Sequence, residues 1–173
     1  MRFVLILLLP CFFQAMVSAQ EQTYFQQKVD HNISVYLDTD NNELKGQSLI
    51  QYSNNSRDTL TELVFHLWMN AFGDRRSEFA RQMLDYGQRD FHFTDDENLG
   101  YYKSIEFRSE GQPMDFEYAN MGGRKNKEIV YLKLDKALPP NSKALITVDY
   151  NIKLPYAFDR PGFKGELYRI TQW

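Results

Sequence analysis

Cysteine is nearly absent: the 173-residue chain has one, Cys11, inside an amino-terminal apolar stretch. Disulfides and cysteine metal sites are thereby excluded from the body of the protein. Stability has to come from a packed core, which a chain of this length can supply. A basic excess is missing too. With 20 Lys and Arg against 23 Asp and Glu the net charge is −3, so no surface invites nucleic acid or acidic lipid. The one basic cluster, Arg124-Lys125-Asn126-Lys127, follows Met-Gly-Gly and reads as a solvated loop. His31, His66 and His92 are the only histidines, and none stands in the H-E-x-x-H spacing that puts two imidazoles on one helical face. No G-x-S-x-G, G-x-x-x-x-G-K or G-x-G-x-x-G occurs. Asp95-Asp96-Glu97 lacks the calcium-loop pattern, and no acidic pair can be assigned to glycoside hydrolysis. The sequence therefore offers no catalytic residue and no metal ligand.

What is present begins with a leader. Arg2 supplies a positive start, Phe3 to Phe13 an eleven-residue apolar core, and Val17-Ser18-Ala19 the small residues of a cleavage site. Residues 1–19 read as a secretory signal peptide, with the mature chain starting at Gln20. The apolar core is too short to span a bilayer comfortably, so no membrane anchor is expected. Cys11 does not fit a lipoprotein signal, because Pro10 stands where a small residue is required. The expected destination is the periplasm or the exterior.

The remaining residues, 20–173, read as one β domain. The stretch Thr61 to Phe72 is its centre: Leu63, Phe65, Leu67 and Met69 alternate with Val64, His66 and Trp68. Large groups on both faces predict a strand interior to its sheet. Asn70 breaks the run and turns the chain out. His31 to Asp38 and Gly46 to Ser53 predict two half-buried strands, with Ile33, Val35 and Leu37 on one face of the first. Between and after them, Asp38 to Asn42 and Asn54 to Asp58 carry turn chemistry. Ser77 to Tyr86 predicts a short helix with Ser77 as cap, Phe79, Met83 and Tyr86 as its apolar stripe, and Gly87 as its stop. Phe91-His-Phe93 reads as extended. Further strands are predicted at Tyr101–Phe107, Met114–Tyr118, Glu128–Leu134 and Lys143–Leu154, with Met121-Gly-Gly123 a hairpin turn. Short strands at regular spacing predict an all-β fold: a saddle-like β-sandwich of curved antiparallel sheets with one short inserted helix. Leu167 to Trp173 starts one more strand and stops inside it, so the chain is expected to be truncated and, alone, to aggregate through that exposed edge.

Two glycosylation acceptors are spelled out, Asn32-Ile-Ser34 and Asn54-Asn-Ser56, meaningful only in a eukaryotic secretory pathway. His66 reads as a half-buried histidine with a hydrogen-bond partner. Tyr101-Tyr102 and Tyr156 to Phe163 would suit a sugar-stacking platform, although aromatics in a sandwich are mostly core or cross-strand pairs.

Three segments together resemble a known family: Tyr52-Ser-Asn-Asn-Ser56, Leu60 to Phe72, and Tyr168-Arg-Ile-Thr-Gln-Trp173. In this order they are similar to the amino-terminal domain of aminopeptidase N-type zinc metallopeptidases, in particular the secreted bacterial branch. The likeness covers roughly residues 24–173. It implies a saddle-shaped β domain that precedes a thermolysin-like catalytic domain, which is the partner missing from this chain. In that family zinc is held by H-E-x-x-H and a downstream Glu, and a G-x-M-E-N-like loop binds the free amine of a peptide substrate. None of those elements occurs here, so catalytic residues, metal ligands and cofactor are all expected to be absent from this fragment. One contribution carries over. Thr171-Gln172 matches a segment that lines the active-site wall, which makes Gln172 a candidate substrate-binding residue. Gln172 reads equally well as a strand residue near a domain junction. The competing class is a secreted β-sandwich binding module for carbohydrate or an envelope protein, without enzymatic activity.

Overall fold

A computed structural model describes residues 24–171. The leader, Gln172 and Trp173 lie outside the described residues. The elements in order are β1 (Lys28–Asp38), β2 (Glu43–Ser53), β3 (Leu60–His66), α1 (Glu78–Asp85), α2 (Asp90–Phe93), β4 (Tyr101–Ser109), β5 (Gln112–Pro113), β6 (Phe116–Met121), β7 (Arg124–Leu138), β8 (Lys143–Lys153), β9 (Gly162–Lys164) and β10 (Leu167–Arg169). A five-stranded sheet runs β1-β2-β8-β4-β5 and a three-stranded sheet β3-β7-β6, while β9 and β10 make a small hairpin. All their ladders are antiparallel. The expected all-β sandwich with a short helical insert is what forms. No helix among the described residues is long and apolar enough to cross a membrane.

Alternation decides the faces of the large sheet. Leu44, Ile50, Phe107, Ile146, Val148 and Ile152 point inward and are buried. They meet Leu63, Val130 and Leu132 of the small sheet in one core. The other face is polar. In the row Gln47↔Asp149↔Glu106, Asp149 accepts from Gln47 Nε2 at 2.7 Å and from Arg108. Period-two patterning of this kind fixes register, because a slip of one residue would exchange the two faces.

Among the described residues the polar face holds one buried acid. Glu43 accepts from Lys103 Nζ and, at 3.0 Å, from Asn151 Nδ2. The Lys103 bond, then the Asn151 bond, hold its carboxyl below the ordinary carboxylate value. Asp38, bonded by Asn41 and Lys45, is lowered as well. A carboxylate with a lowered folded-state pKa contributes stability above its unfolded value and loses it as pH falls. Acid should therefore destabilise the protein below about pH 4.5, and Glu43→Gln should flatten that limb. Urea midpoints measured from pH 7 to 3 check this, and an unchanged slope in the variant would refute it.

Turn chemistry places the hairpins. Met121 pairs with Arg124, and the two residues between, Gly122 and Gly123, both have positive φ, at 59° and 79°. That is the mirror-image turn whose twist suits adjoining strands, and glycine adopts it without strain.

The helical insert is built by local signals. Ser77 Oγ accepts from Ala80 N at 3.1 Å and donates to Ala71 O at 2.6 Å, which caps α1 and ties it to the preceding turn. At the other end Gly87 N donates to Leu84 O and Gln88 N to Met83 O, the two bonds of a glycine-terminated helix stop. The apolar stripe differs from expectation. Ala80 and Met83 are buried, whereas Tyr86 is 70% exposed, since it sits in the cap where the chain already leaves the helix. Phe91 to Phe93, expected extended, belong to α2. The helical turn brings the Phe91 ring into a second small core with Phe72, Phe79 and Phe158, and that packing outweighs local propensity.

The stretch expected at the centre requires the largest correction. β3 pairs with β7 alone and forms an edge of the small sheet; β7 is its centre. The inner row, Leu63, Phe65 and Leu67, packs into the core. The outer row stays wet, with Val64 59% exposed. His66 and Trp68 lie against each other, their ring centroids 3.7 Å apart, yet both remain exposed. The strand also ends sooner: Trp68–Phe72 is a 3₁₀ turn. Its Asn70 Nδ2 donates to Lys127 O at 2.7 Å and its Oδ1 accepts from Tyr102 N at 3.0 Å, which ties the two sheets together.

Candidate functional site

The small sheet does not cover the whole inner face of the large one. β1 carries its apolar row on the inner side, because Ile33 lies opposite Ser48 and Val35 opposite Gly46. Yet Ile33 is 46% and Val35 47% exposed. The uncovered region is a cleft of about 420 Å³, floored by Ile33, Ser48, Ile50, Val148 and Phe107 and bounded on one side by Phe65, His66 and Leu67. His31, Tyr102, Ile105 and Tyr150 complete the lining.

Glycine shapes the floor at one place. A Cβ at Gly46 would stand 2.5 Å from the Tyr150 ring, so the ring lies across the cross-strand partner where no side chain fits. Tyr102 and Tyr150 meet edge to face with centroids 6.3 Å apart. Burial, with Tyr150 adding to it, pushes the Tyr102 phenol up, so it stays protonated at any physiological pH. Desolvation pushes the His66 imidazole down, toward its neutral form. No Asp, Glu, Lys or Arg lines the cleft. Ser48 Oγ is buried and, among the described residues, has no hydrogen-bond partner.

Among the described residues no catalytic set is assembled around these groups. Nucleophilic catalysis needs a base within hydrogen-bond reach and a third group to orient it. Ser48 Oγ makes no hydrogen bond to the cleft histidines His31 and His66, and no carboxylate lines the cleft. No group of three or more His, Cys, Asp or Glu able to hold a metal exists among the described residues, so the residues of the cleft do not fit a zinc ion.

The other sequence candidates disperse. Gln172 lies outside the described residues. His31 and His66 share the cleft, while His92 sits on α2. His66 is exposed, with the Trp68 ring against it, which corrects the half-buried expectation. Asp96 pairs with Arg75 at 2.7 Å. Lys125 lies over the Tyr118 ring at 4.7 Å. The aromatics of 156–163 form no open platform: Tyr156 contacts both Phe158 and Phe163, Phe158 packs on Phe91, and Phe163 packs on the main core. Of the two glycosylation acceptors, Asn32 is exposed on β1. Asn54 is fully buried, its Nδ2 committed to three carbonyls.

Sequence reasoning missed Ser48 and Tyr150. A signal existed in the inward register of β2, which reads Leu44, Gly46, Ser48, Ile50. Two small residues, one polar, on an otherwise apolar face mark ground that the opposite sheet leaves open.

No family model matches this sequence, and no curated protein matches it. Among solved structures, a variant of a two-domain M1 zinc metallopeptidase with L-arginine bound is similar over 81% of this chain and 24% of its own, at 14% identity and a TM-score of 0.41. This is a weak and partial likeness of fold, and it carries no argument about chemistry.

Proposed function

We propose that this chain is the amino-terminal docking and substrate-wall domain of a secreted zinc aminopeptidase, whose catalytic centre lies in a neighbouring domain. The ordered likeness of Leu60–Phe72 and Tyr168–Trp173 to that family supports the reading, set within an antiparallel β domain of the expected class. On this reading residues 1–19 are removed on export, residues 20–173 are the β domain, peptides are the substrate, and Gln172 contributes to the substrate wall. Attack on the peptide bond by metal-activated water belongs to the neighbouring domain. A non-enzymatic binding module is the second reading, favoured by the uncharged open cleft.

The gene beyond codon 173 tests the proposal. An in-frame continuation with H-E-x-x-H is expected, and a stop codon there would overturn it. The 173-residue protein alone is expected to hydrolyse no aminoacyl-anilide, and turnover by the purified chain would place the chemistry within it.

A further inference from the structure

The cleft has an unusual wall. β3 is the outermost strand of the small sheet, and among the described residues no strand pairs with its open side. Leu67 N donates to Glu128 O, and bonded and unbonded positions alternate along an antiparallel ladder. Phe65 and Leu63 therefore turn their backbone groups toward β7, and Val64 and His66 turn theirs to the open side. An unpaired backbone edge thus runs beside an apolar floor.

Three observations select the occupant. Free N–H and C=O groups at strand spacing are met by another polypeptide backbone, and neither an acyl chain nor a sugar offers them in register. The lining carries no charged side chain, so no ionised headgroup is matched. Ser48 Oγ, 7% exposed and unpartnered among the described residues, places a hydrogen-bonding group in the floor that a peptide segment can meet.

We propose that the cleft is a strand-addition site that takes an extended segment of another protein, paired antiparallel with β3 at Val64 and His66, with every second, apolar side chain entering over Ile33 and Ile50. Affinity comes from the backbone ladder, and selectivity for small or medium apolar side chains comes from the floor. The inference goes beyond the peptidase reading and does not depend on it.

The test uses the full chain and a capped, fluorescein-labelled nonapeptide of alternating valine and lysine, followed by fluorescence anisotropy. Saturable binding is expected. In an antiparallel ladder the residues that bond to β3 share the outward face with Val64, so N-methylating the lysines should weaken binding by about tenfold or more and N-methylating the valines should not. Ile33→Lys, at a half-exposed floor position, should weaken binding by about tenfold. Val64→Pro should do the same. Its lost N–H faces away from β7, and proline is tolerated on such an edge; far-UV circular dichroism verifies that both variants fold. Equal tolerance of the two methylation patterns overturns the proposal. So does binding of laurate without binding of the peptide. Self-association abolished by Val64→Pro would assign the edge to a second copy and overturn it as well.

Discussion

Replacing Asn54 by alanine is expected to lower the free energy of unfolding by about 4 kcal/mol, a large part of the margin of a domain this size. Asn54 is fully buried and every polar group it carries is used. Nδ2 donates to the carbonyls of Asp58 at 2.8 Å, Leu138 at 2.9 Å and Pro139 at 3.1 Å. Oδ1 accepts from Ser56 Oγ at 2.7 Å, Ser56 N at 3.1 Å and Gln27 Nε2 at 3.2 Å. Its backbone N donates to Ser142 O and its carbonyl accepts from Asn141 N. The segments joined in this way are two of the crossovers between the sheets. There β2 leaves the large sheet toward β3, and β7 leaves the small sheet toward β8. Truncation would strand the buried Leu138 carbonyl and the partly buried carbonyls of Asp58 and Pro139 at once, which costs more than the deleted bonds contribute. Asn54→Asp separates this account from simple loss of packing. Its shape is conserved, but an oxygen replaces the donor that faces three carbonyls, so at neutral pH the loss should persist. A carboxyl held there has a raised folded-state pKa, so its deficit relative to the parent protein should shrink as pH falls and protonation restores one donor. Urea unfolding at pH 7 and pH 5 measures both variants. A loss below about 1 kcal/mol for Asn54→Ala would refute the role assigned to this residue.

Nothing in Asn54-Asn-Ser-Arg-Asp58 distinguishes the buried asparagine from its exposed neighbour. Turn composition placed the turn correctly, because Asn and Ser bond to nearby backbone whatever the tertiary setting. Which of the two would be consumed depends on where residues 138–142 arrive, and that is long-range information. The same division runs through the rest of the molecule. β8, the turn at Gly122-Gly123 and the capped α1 are written in local pattern and form close to where they are expected, whereas β2 begins earlier, at Glu43, and Arg124 to Lys127, expected as a solvated loop, open β7. β3 departs from its expected place because an edge strand can leave an apolar outer row largely exposed: Val64 is 59% and Trp68 45% exposed, and the His66–Trp68 contact shields only part of it. α2 was misread because Phe91 is placed by Phe72, Phe79 and Phe158, which come from three other segments. The cleft was hidden for a related reason. Ile33 and Val35 alternate as buried residues do, and only the narrower opposite sheet leaves them open.

Phe107→Ala is expected to cost about 3–5 kcal/mol, comparable to the loss at Asn54 but with a different cause. Phe107 rises from β4 between the sheets and is almost fully buried. Its ring centroid lies 5.1 Å from that of Phe65 on β3 and 5.4 Å from that of Phe116 on β6. It therefore touches both edge strands of the small sheet from a single position on the large one. Phe116 continues the row to Tyr118 at 5.6 Å. Deleting the ring removes its transfer free energy, two aromatic contacts and the filling of the space between the sheets. Because Phe107 also floors the cleft, the vacated space would join it instead of forming a closed void. Alanine should therefore widen the cleft as well as weaken the sandwich, and an apolar dye should bind the variant more strongly than the parent at equal folded fraction. Phe107→Leu, which keeps most of the volume, should cost no more than about 1.5 kcal/mol. Chemical denaturation gives the two free energies and dye titration the widening. If alanine and leucine cost the same, the ring does not bridge the sheets, and the sandwich is held together elsewhere.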